Sequence, residues 1–452
     1  MSDSRHSTLR ELFHLAWPVL VAQMAVVGNG VIDSIMAGRL SAADLAAVGI
    51  GASIYITIFM TLMGVLLALT PTVAHLYGAG RRQEIGVEVR QSAWMAVALA
   101  AVAIVLLLHP DPLIRFSRLP AEVEPKVRAY LAILAWGVAP TLAFRVFYGF
   151  MAGIGRPRAI MVLNLVGLAL KAPLNAVFMF GLDMGAAGCA ASTTLIGCLT
   201  AVLAWGWCAR SADCREFGIF DRLTPPRPAA IGELLKLGLP IGATYLVDVT
   251  AFTFMALFIA RLGAATSAAH QIAANLAVLA FMLPLALGQA ASVLVGQALG
   301  AGEPRRARHA GLAGLGIAMA LSLVVSLTLW QGAPFLAALY TPDRGVQAVA
   351  VTLIVLVAAY HLADAVQATV VNTLRGYKKT TMPMVVYGVT LWGVGLGGGY
   401  TLGLTDLLGP ARGAAGFWLA AAASLALAGA AMTVYFLQVS AAGLTPRSEP
   451  GR

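Results

Sequence analysis

The stretch Leu237–Phe258 reads L-G-L-P-I-G-A-T-Y-L-V-D-V-T-A-F-T-F-M-A-L-F. It is as long and as apolar as a bilayer crossing requires, about 20 residues. One carboxylate, Asp248, sits near its middle, and no basic residue lies between Lys236 and Arg261. A charge at that depth costs roughly 3 kcal/mol on insertion scales. A partner, a proton or a bound cation has to offset that cost.

The rest of the chain supplies the same environment. Of 452 residues, 60% are hydrophobic and 11% charged, where a soluble protein carries about 25% charged residues. Its apolar runs last about 20 residues, the length of membrane helices, whereas barrel strands alternate over about 10. The fold class is therefore an all-α polytopic membrane protein. The net charge of +10 reflects basic loops between apolar runs, not a nucleic-acid surface. Cys189, Cys198, Cys208 and Cys214 show no metal or redox spacing and read as packing residues. Met1–Arg10 is short and polar, and the first apolar run is too long for a signal-peptide core. That run is expected to remain as the first membrane helix.

Twelve spans are expected, at about 13–37, 46–74, 91–109, 129–151, 159–181, 186–208, 232–260, 266–297, 310–331, 347–373, 381–403 and 413–438. Twenty of the 30 Lys and Arg residues lie at the termini or in loops after even-numbered spans. Eight lie on the opposite side, and Arg145 and Lys171 lie within spans. The excess predicts cytoplasmic termini in a multi-pass protein of the inner (plasma) membrane.

The two halves read as copies. Trp17-Pro18 precedes Leu239-Pro240 by 222 positions, and Gly78-Ala79-Gly80 precedes Gly300-Ala301-Gly302 by the same offset. Gly153, ahead of Arg156, precedes Gly376, ahead of Lys378, by 223. Six spans per copy is an even number, so the copies run in the same direction, as two six-helix lobes related by a pseudo-two-fold axis along the membrane normal. The domains read as an N-terminal lobe 1–208, a cytoplasmic interlobe linker 209–231, a C-terminal lobe 232–440 and a cytoplasmic tail 441–452.

Three acidic residues fall inside spans: Asp33, Asp248 and Asp364. Intramembrane carboxylates are rare and mark ion or substrate paths. A carboxylate there can take a proton or hold a small cation. Tyr360, Asp364, Gln367 and Asn372 follow at helical spacing, close to one polar face. Thr244, Asp248, Phe252 and Met255 share a face, where the aromatic and the thioether suit either helix packing or a lipophilic cation. Lys171 lies mid-span, about ten residues from either end, and reads as a partner for Asp33 or a snorkelling lysine. Arg145, nearer its span's end, reads as snorkelling. His270 and His361 read first as hydrogen-bonded structural groups, although imidazole could couple protons. Pro18, Pro71, Pro140, Pro173, Pro240 and Pro284 predict kinks. No nucleotide-binding, metalloprotease or nucleophile-elbow motif occurs, so a non-enzyme driven by an ion gradient is expected.

Specific runs then resemble a known family. W-P-V-L-V-A-Q, V-I-D-S-I-M-A-G-R-L-S-A-A-D-L-A-A-V, L-G-L-P-I-G, V-D-V-T-A-F, A-A-H-Q-I-A-A-N, F-M-L-P-L-A-L-G-Q-A-A-S-V-L-V-G-Q-A-L-G-A-G, Y-T-P-D, A-D-A-V-Q and L-R-G-Y-K resemble the MATE (multidrug and toxic compound extrusion) family in its NorM-like branch. The resemblance implies a cation-coupled exporter of organic cations such as dyes and antibiotics. It implies a cation site, Na⁺ being one candidate ion, at Asp248 and Asp364, a further functional aspartate at Asp33, and polar partners at Asn175, Thr193 and Gln271. Phe252, Tyr360, Gln367 and Lys171 complete the candidate cavity. Two departures stand out. Asp248 replaces the glutamate of many relatives, and Lys171 stands where an asparagine is expected, which argues against a first-lobe Na⁺ site.

The expected function is thus an antiporter exchanging organic cations for Na⁺ or H⁺, with no cofactor beyond the coupling ion. Its partners would be the drug and the bilayer, not nucleic acid, and a monomer should suffice. The alternatives are a lipid-linked precursor flippase and a passive channel.

Overall fold

The computed structural model describes residues 2–112, 114, 120–222 and 224–444, with side chains from Thr8 onward. The described chain is built almost entirely of helices. The first half contains α1 (Ser2–Leu40), α2 (Ala42–Leu66), α3 (Leu69–Gly78), α4 (Arg82–Leu108), α5 (Glu124–Gly153), α6 (Arg158–Asn175), α7 (Ala186–Arg210) and the short α8 (Ala212–Arg215). The second contains α9 (Pro228–Ala260), α10 (Ala264–Gly300), α11 (Pro304–Tyr340), α12 (Arg344–Gly376), α13 (Thr381–Gly388), α14 (Gly398–Leu404) and α15 (Ala414–Ala442). Among the described residues, eleven helical stretches are long and apolar enough to cross a membrane.

The one expected span outside these eleven, 381–403, is present but changes geometry along its length. α13 leads into a π-helical segment, Val389–Gly397, which leads into α14. The equivalent span of the first half behaves similarly, since α6 runs into a π segment at Ala176–Gly181. A second departure is at 46–74, expected as one helix. It breaks between α2 and α3 because Pro71 has no N–H to return to Leu67 O. Thr70 N donates to Leu67 O instead, at 3.2 Å. Pro18, Pro140, Pro173, Pro240 and Pro284 remain inside unbroken helices.

The duplication is written into the packing. α5 and α12, the fourth long helices of each half, are the central ones. α5 packs against α2, α3, α4 and α7, and α12 against α10, α11 and α15. A Cβ on Gly153 would meet Val73 Cβ at 2.7 Å and Thr70 O at 3.0 Å. One on Gly376 would meet Val295 Cβ at 3.0 Å and Ser292 O at 2.7 Å. Val295 and Ser292 lie 222 positions beyond Val73 and Thr70, so one close helix crossing occurs twice. Gly80 and Gly302 repeat a left-handed turn, with φ of 70° and 77°.

The contacts form two compact units, Val21–Gly242 and Met1–Leu20 with Ala243–Arg452. Both boundaries fall inside long helices, and they are 222 positions apart. In the second unit, Leu12 and Ala16 of α1 pack with Leu287, Ala291 and Leu294 of α10. In the first, Gly238 and Gly242 of α9 pack against Val65 and Thr61 of α2. α1 and α9 thus each begin in one unit and end in the other.

The described residues of 211–227 are docked on α4. Arg90 Nη1 donates to Gly218 O and, at 3.2 Å, to Ile219 O, while Nε reaches Thr224 Oγ1 at 3.1 Å. Gln91 Nε2 donates to Pro225 O, its Oε1 accepts from Arg227 N, and Trp94 Nε1 donates to Thr224 O. Phe217 packs edge-on against Phe150 with centroids 5.2 Å apart. Cys208 donates its thiol to Cys214 in α8. That bond, aided by the nearby Arg156 charge, holds the Cys214 thiol below the ordinary thiol range.

Candidate functional site

The second half builds its centre from α9, α12, α13 and α15. Tyr360, Asp364 and Gln367 are all buried, while exposed positions of α12 are held by residues such as Ala348, Thr352 and Ala359. Asp248, on α9, lies within electrostatic range of Asp364, and Tyr360 and Tyr387 lie within range of both. Tyr387 Oη donates to Asp248 Oδ1 at 2.7 Å. Among the described residues no basic side chain is paired with either carboxylate. The position matching Asp364 in the first half is Thr141, which spends its hydroxyl on Gly137 O at 2.7 Å.

Aromatic rings adjoin the pair. Phe252 meets Tyr360 edge-on at 6.4 Å and Trp418 at 6.5 Å, and Tyr360 meets Trp418 at 5.4 Å. Such rings can hold a lipophilic cation beside a carboxylate. His270 leans on Trp418 at 5.8 Å. Neither histidine follows the hydrogen-bonded reading in full. Among the described residues, His270 Nδ1 and both ring nitrogens of His361 are buried without a partner.

Two other polar residues of the sequence reading make their hydrogen bonds to partners other than the two carboxylates. Gln271 is exposed and donates to Asn275 Oδ1 at 3.3 Å. Asn372 is buried but bonds Ala368 O and accepts from Arg375 Nη1. Tyr387 and Trp418 were missed from the sequence, because single aromatics in apolar runs look like packing.

The first half's centre is electrostatically different. Lys171 Nζ lies 2.9 Å from Asp33 Oδ1 and also donates to Ser192 Oγ at 3.1 Å and Thr193 Oγ1 at 2.5 Å. Asn175 Nδ2 donates to Asp33 Oδ1 at 2.7 Å, and Ser192 Oγ donates to Asn175 Oδ1. Of the two readings of Lys171, pairing with Asp33 is the one present, and its buried ammonium does not snorkel. Cys189 is more than a packing residue, since its thiol donates to Asp33 and the Tyr130 hydroxyl bonds the sulfur. Ser192, Cys189 and Tyr130 carried no sequence signal. Arg145 lies over the rings of Phe59 and Tyr148 at 5.8 and 5.6 Å.

A further acid, Asp44, works as a staple. It accepts from Ser41 Oγ, Ala186 N and Lys126 Nζ, at 2.6, 3.0 and 2.8 Å. It therefore ties together the starts of α2, α5 and α7.

Comparison with known proteins fits the duplicated architecture. The MatE family model matches residues 18–177 and again 240–401. The chain belongs to the MatE family. Among MatE relatives, a probable multidrug resistance protein NorM of Aromatoleum aromaticum is 41% identical over 94% of this chain and 93% of its own. The multidrug resistance protein PmpM of Pseudomonas aeruginosa is 37% identical over 91% and 87%. MdtK of Yersinia pseudotuberculosis, also named a multidrug resistance protein, is 35% identical over 91% of each. The Vibrio cholerae MATE transporter VcmN in its bent form superposes with a TM-score of 0.85 at 20% identity, over 98% of this chain and 99% of that one. The eukaryotic MATE transporter AtDTX14 gives 0.86 at 16% identity, over 97% and 99%. These structural likenesses establish a shared fold, and this MatE member is a multi-pass membrane protein.

Proposed function

We propose that this MatE member is a multidrug efflux antiporter, exporting organic cations in exchange for Na⁺ or H⁺. One observation carries the reading. Asp248 and Asp364 share a centre with aromatic neighbours, and no basic side chain is paired with them among the described residues. Two acids in that state attract a cation. A lipophilic drug cation gains further from Phe252, Tyr360 and Trp418. A coupling ion arriving from outside competes for the same carboxylates and offsets the charge that holds the drug. Exchange follows if ion and drug favour different states of the protein.

The relatives' multidrug-resistance names favour this reading over a flippase or a passive channel. A flippase for lipid-linked precursors would need a cationic centre for pyrophosphate, and the second-half centre is acidic. The protein would act as a monomer in the inner membrane, both termini cytoplasmic, without altering the drug chemically. Its only auxiliary species would be the coupling ion, and nucleic acid would have no part.

The test is ethidium export from proteoliposomes with a Na⁺ gradient or a pH gradient imposed separately. One gradient should drive export against a concentration difference, and Asp248→Asn or Asp364→Asn should abolish it. Full export by both neutral variants would sink the mechanism. Export that needs neither gradient would leave a channel.

A further inference from the structure

The fifth long helix of the second half leaves α geometry beside Asp248. Tyr387 lies in the last turn of α13, and Trp392 lies five residues later in the π segment Val389–Gly397. Both donate to adjacent residues of α9, Tyr387 Oη to Asp248 Oδ1 at 2.7 Å and Trp392 Nε1 to Val247 O at 3.3 Å. In an α-helix, residues five apart point about 140° away from each other and would not both face one neighbour. A π turn bonds residue i to i+5, which returns such positions to one face. The widened turn is what lets both donors grip α9 at the acid.

The first half repeats the device at another register of the repeat. Asn175 is the last residue of α6, directly before the π segment Ala176–Gly181, and it donates to Asp33 at 2.7 Å. In each half, the first helix's acid is held by a donor at the α-to-π junction of the fifth helix. Only in the second half is that donor the acid's sole polar side-chain partner among the described residues.

We propose that Tyr387 is a positioning residue that holds Asp248 while no cation is bound and is released when a cation takes the carboxylate. The assignment deepens the antiport reading and rests on it. A hydroxyl donating to a carboxylate stabilises the bare anion and occupies one of its lone pairs. A cation must displace that donor or do without part of the charge, so the bond weakens cation binding and eases release. The π segment is already off the α register, so a shift of one turn there breaks fewer ideal bonds than in a regular helix.

The test is a double-mutant cycle on the detergent-solubilised full chain, read as binding of radiolabelled tetraphenylphosphonium at fixed pH and sodium. Tyr387→Phe keeps the buried ring and removes only the hydroxyl, and gel filtration confirms that each variant remains folded. Relative to the unsubstituted protein, Tyr387→Phe should bind the probe about tenfold more tightly, since hydrogen bonds to charged groups are worth that much. In proteoliposomes the same variant should export more slowly, because release is harder. In an Asp248→Asn background, adding Tyr387→Phe should leave the dissociation constant unchanged. Equal or weaker binding by Tyr387→Phe, or the same gain without Asp248, would overturn the proposal and leave the antiport reading standing. Undiminished binding by Asp248→Asn would overturn the antiport reading itself.

Discussion

Lys171 Nζ lies 2.9 Å from Asp33 Oδ1, and its other two contacts are Ser192 and Thr193. An ammonium has three protons to give, and here three acceptors take them. The first half's acid is thus neutralised from within, whereas Asp248 has only a hydroxyl. The two acids also occupy different positions in the repeat. Asp33 is seven positions beyond Val26, the residue matching Asp248 at the 222 offset, or roughly 10 Å along a helix. The repeat supplies two equivalent helix pairs, and the chain puts a closed electrostatic circuit in one and an open one in the other.

Breaking the closed circuit should be costly. Lys171→Met leaves the partly buried Asp33 without its cation, and removing one partner of a buried pair costs up to about 3–5 kcal/mol. Thermal unfolding in detergent should show Lys171→Met strongly destabilised and the double variant Lys171→Met/Asp33→Asn largely recovered. A double variant no more stable than Lys171→Met would show that the pair is not energetically coupled.

Close helix contact makes a second, sharper comparison. A Cβ on Gly238 would sit 2.2 Å from Val65 O, a backbone atom that cannot swing aside, while a Cβ on Gly232 in the same helix meets nothing within 4 Å. Gly238→Ala should therefore destabilise by about 1–3 kcal/mol through overpacking. Gly232→Ala should be neutral or stabilise by up to about 1 kcal/mol, because alanine favours the helix. Both are read from midpoints of thermal unfolding. Equal midpoints would mean that the first half of α9 is not held against α2.

Legibility in the sequence followed the strength of the constraint. Span number and duplication were readable because bilayer thickness and a fixed offset leave little freedom. The Asp33–Lys171 pair was readable only as one of two alternatives, since a lysine in an apolar run can find a carboxylate or snorkel to the interface. Tyr387 was not, since its partner lies 139 positions away and a tyrosine in M-V-V-Y-G-V resembles any packing aromatic. The π segments escaped because no residue type demands them. The break at Leu67–Ala68 escaped because Pro71 looks like the other span prolines, which sit in unbroken helices. Gln271 entered through family resemblance alone, and its side chain is exposed beside Asn275.

The docked segment 211–227 gives the last expectation. Composition marks it as a polar, proline-rich break, yet its backbone is held by three side chains of one α4 surface, Arg90, Gln91 and Trp94. Arg90 alone reaches Gly218 O, Ile219 O and Thr224 Oγ1. Arg90→Ala removes all three bonds and leaves carbonyls without a donor. Hydrogen bonds to a charged group are worth about 1.5–3 kcal/mol, so local opening should become at least about tenfold more frequent. Proteolysis of an opened segment tracks that population when closing is fast. Trypsin should then cut at Arg215 or Arg222 about tenfold faster in Arg90→Ala than in the unsubstituted protein, while cleavage at Arg305 and Arg306 keeps its rate. Those two arginines lie in the other compact unit, so a general rise at all sites would point to global loosening and count against the clasp.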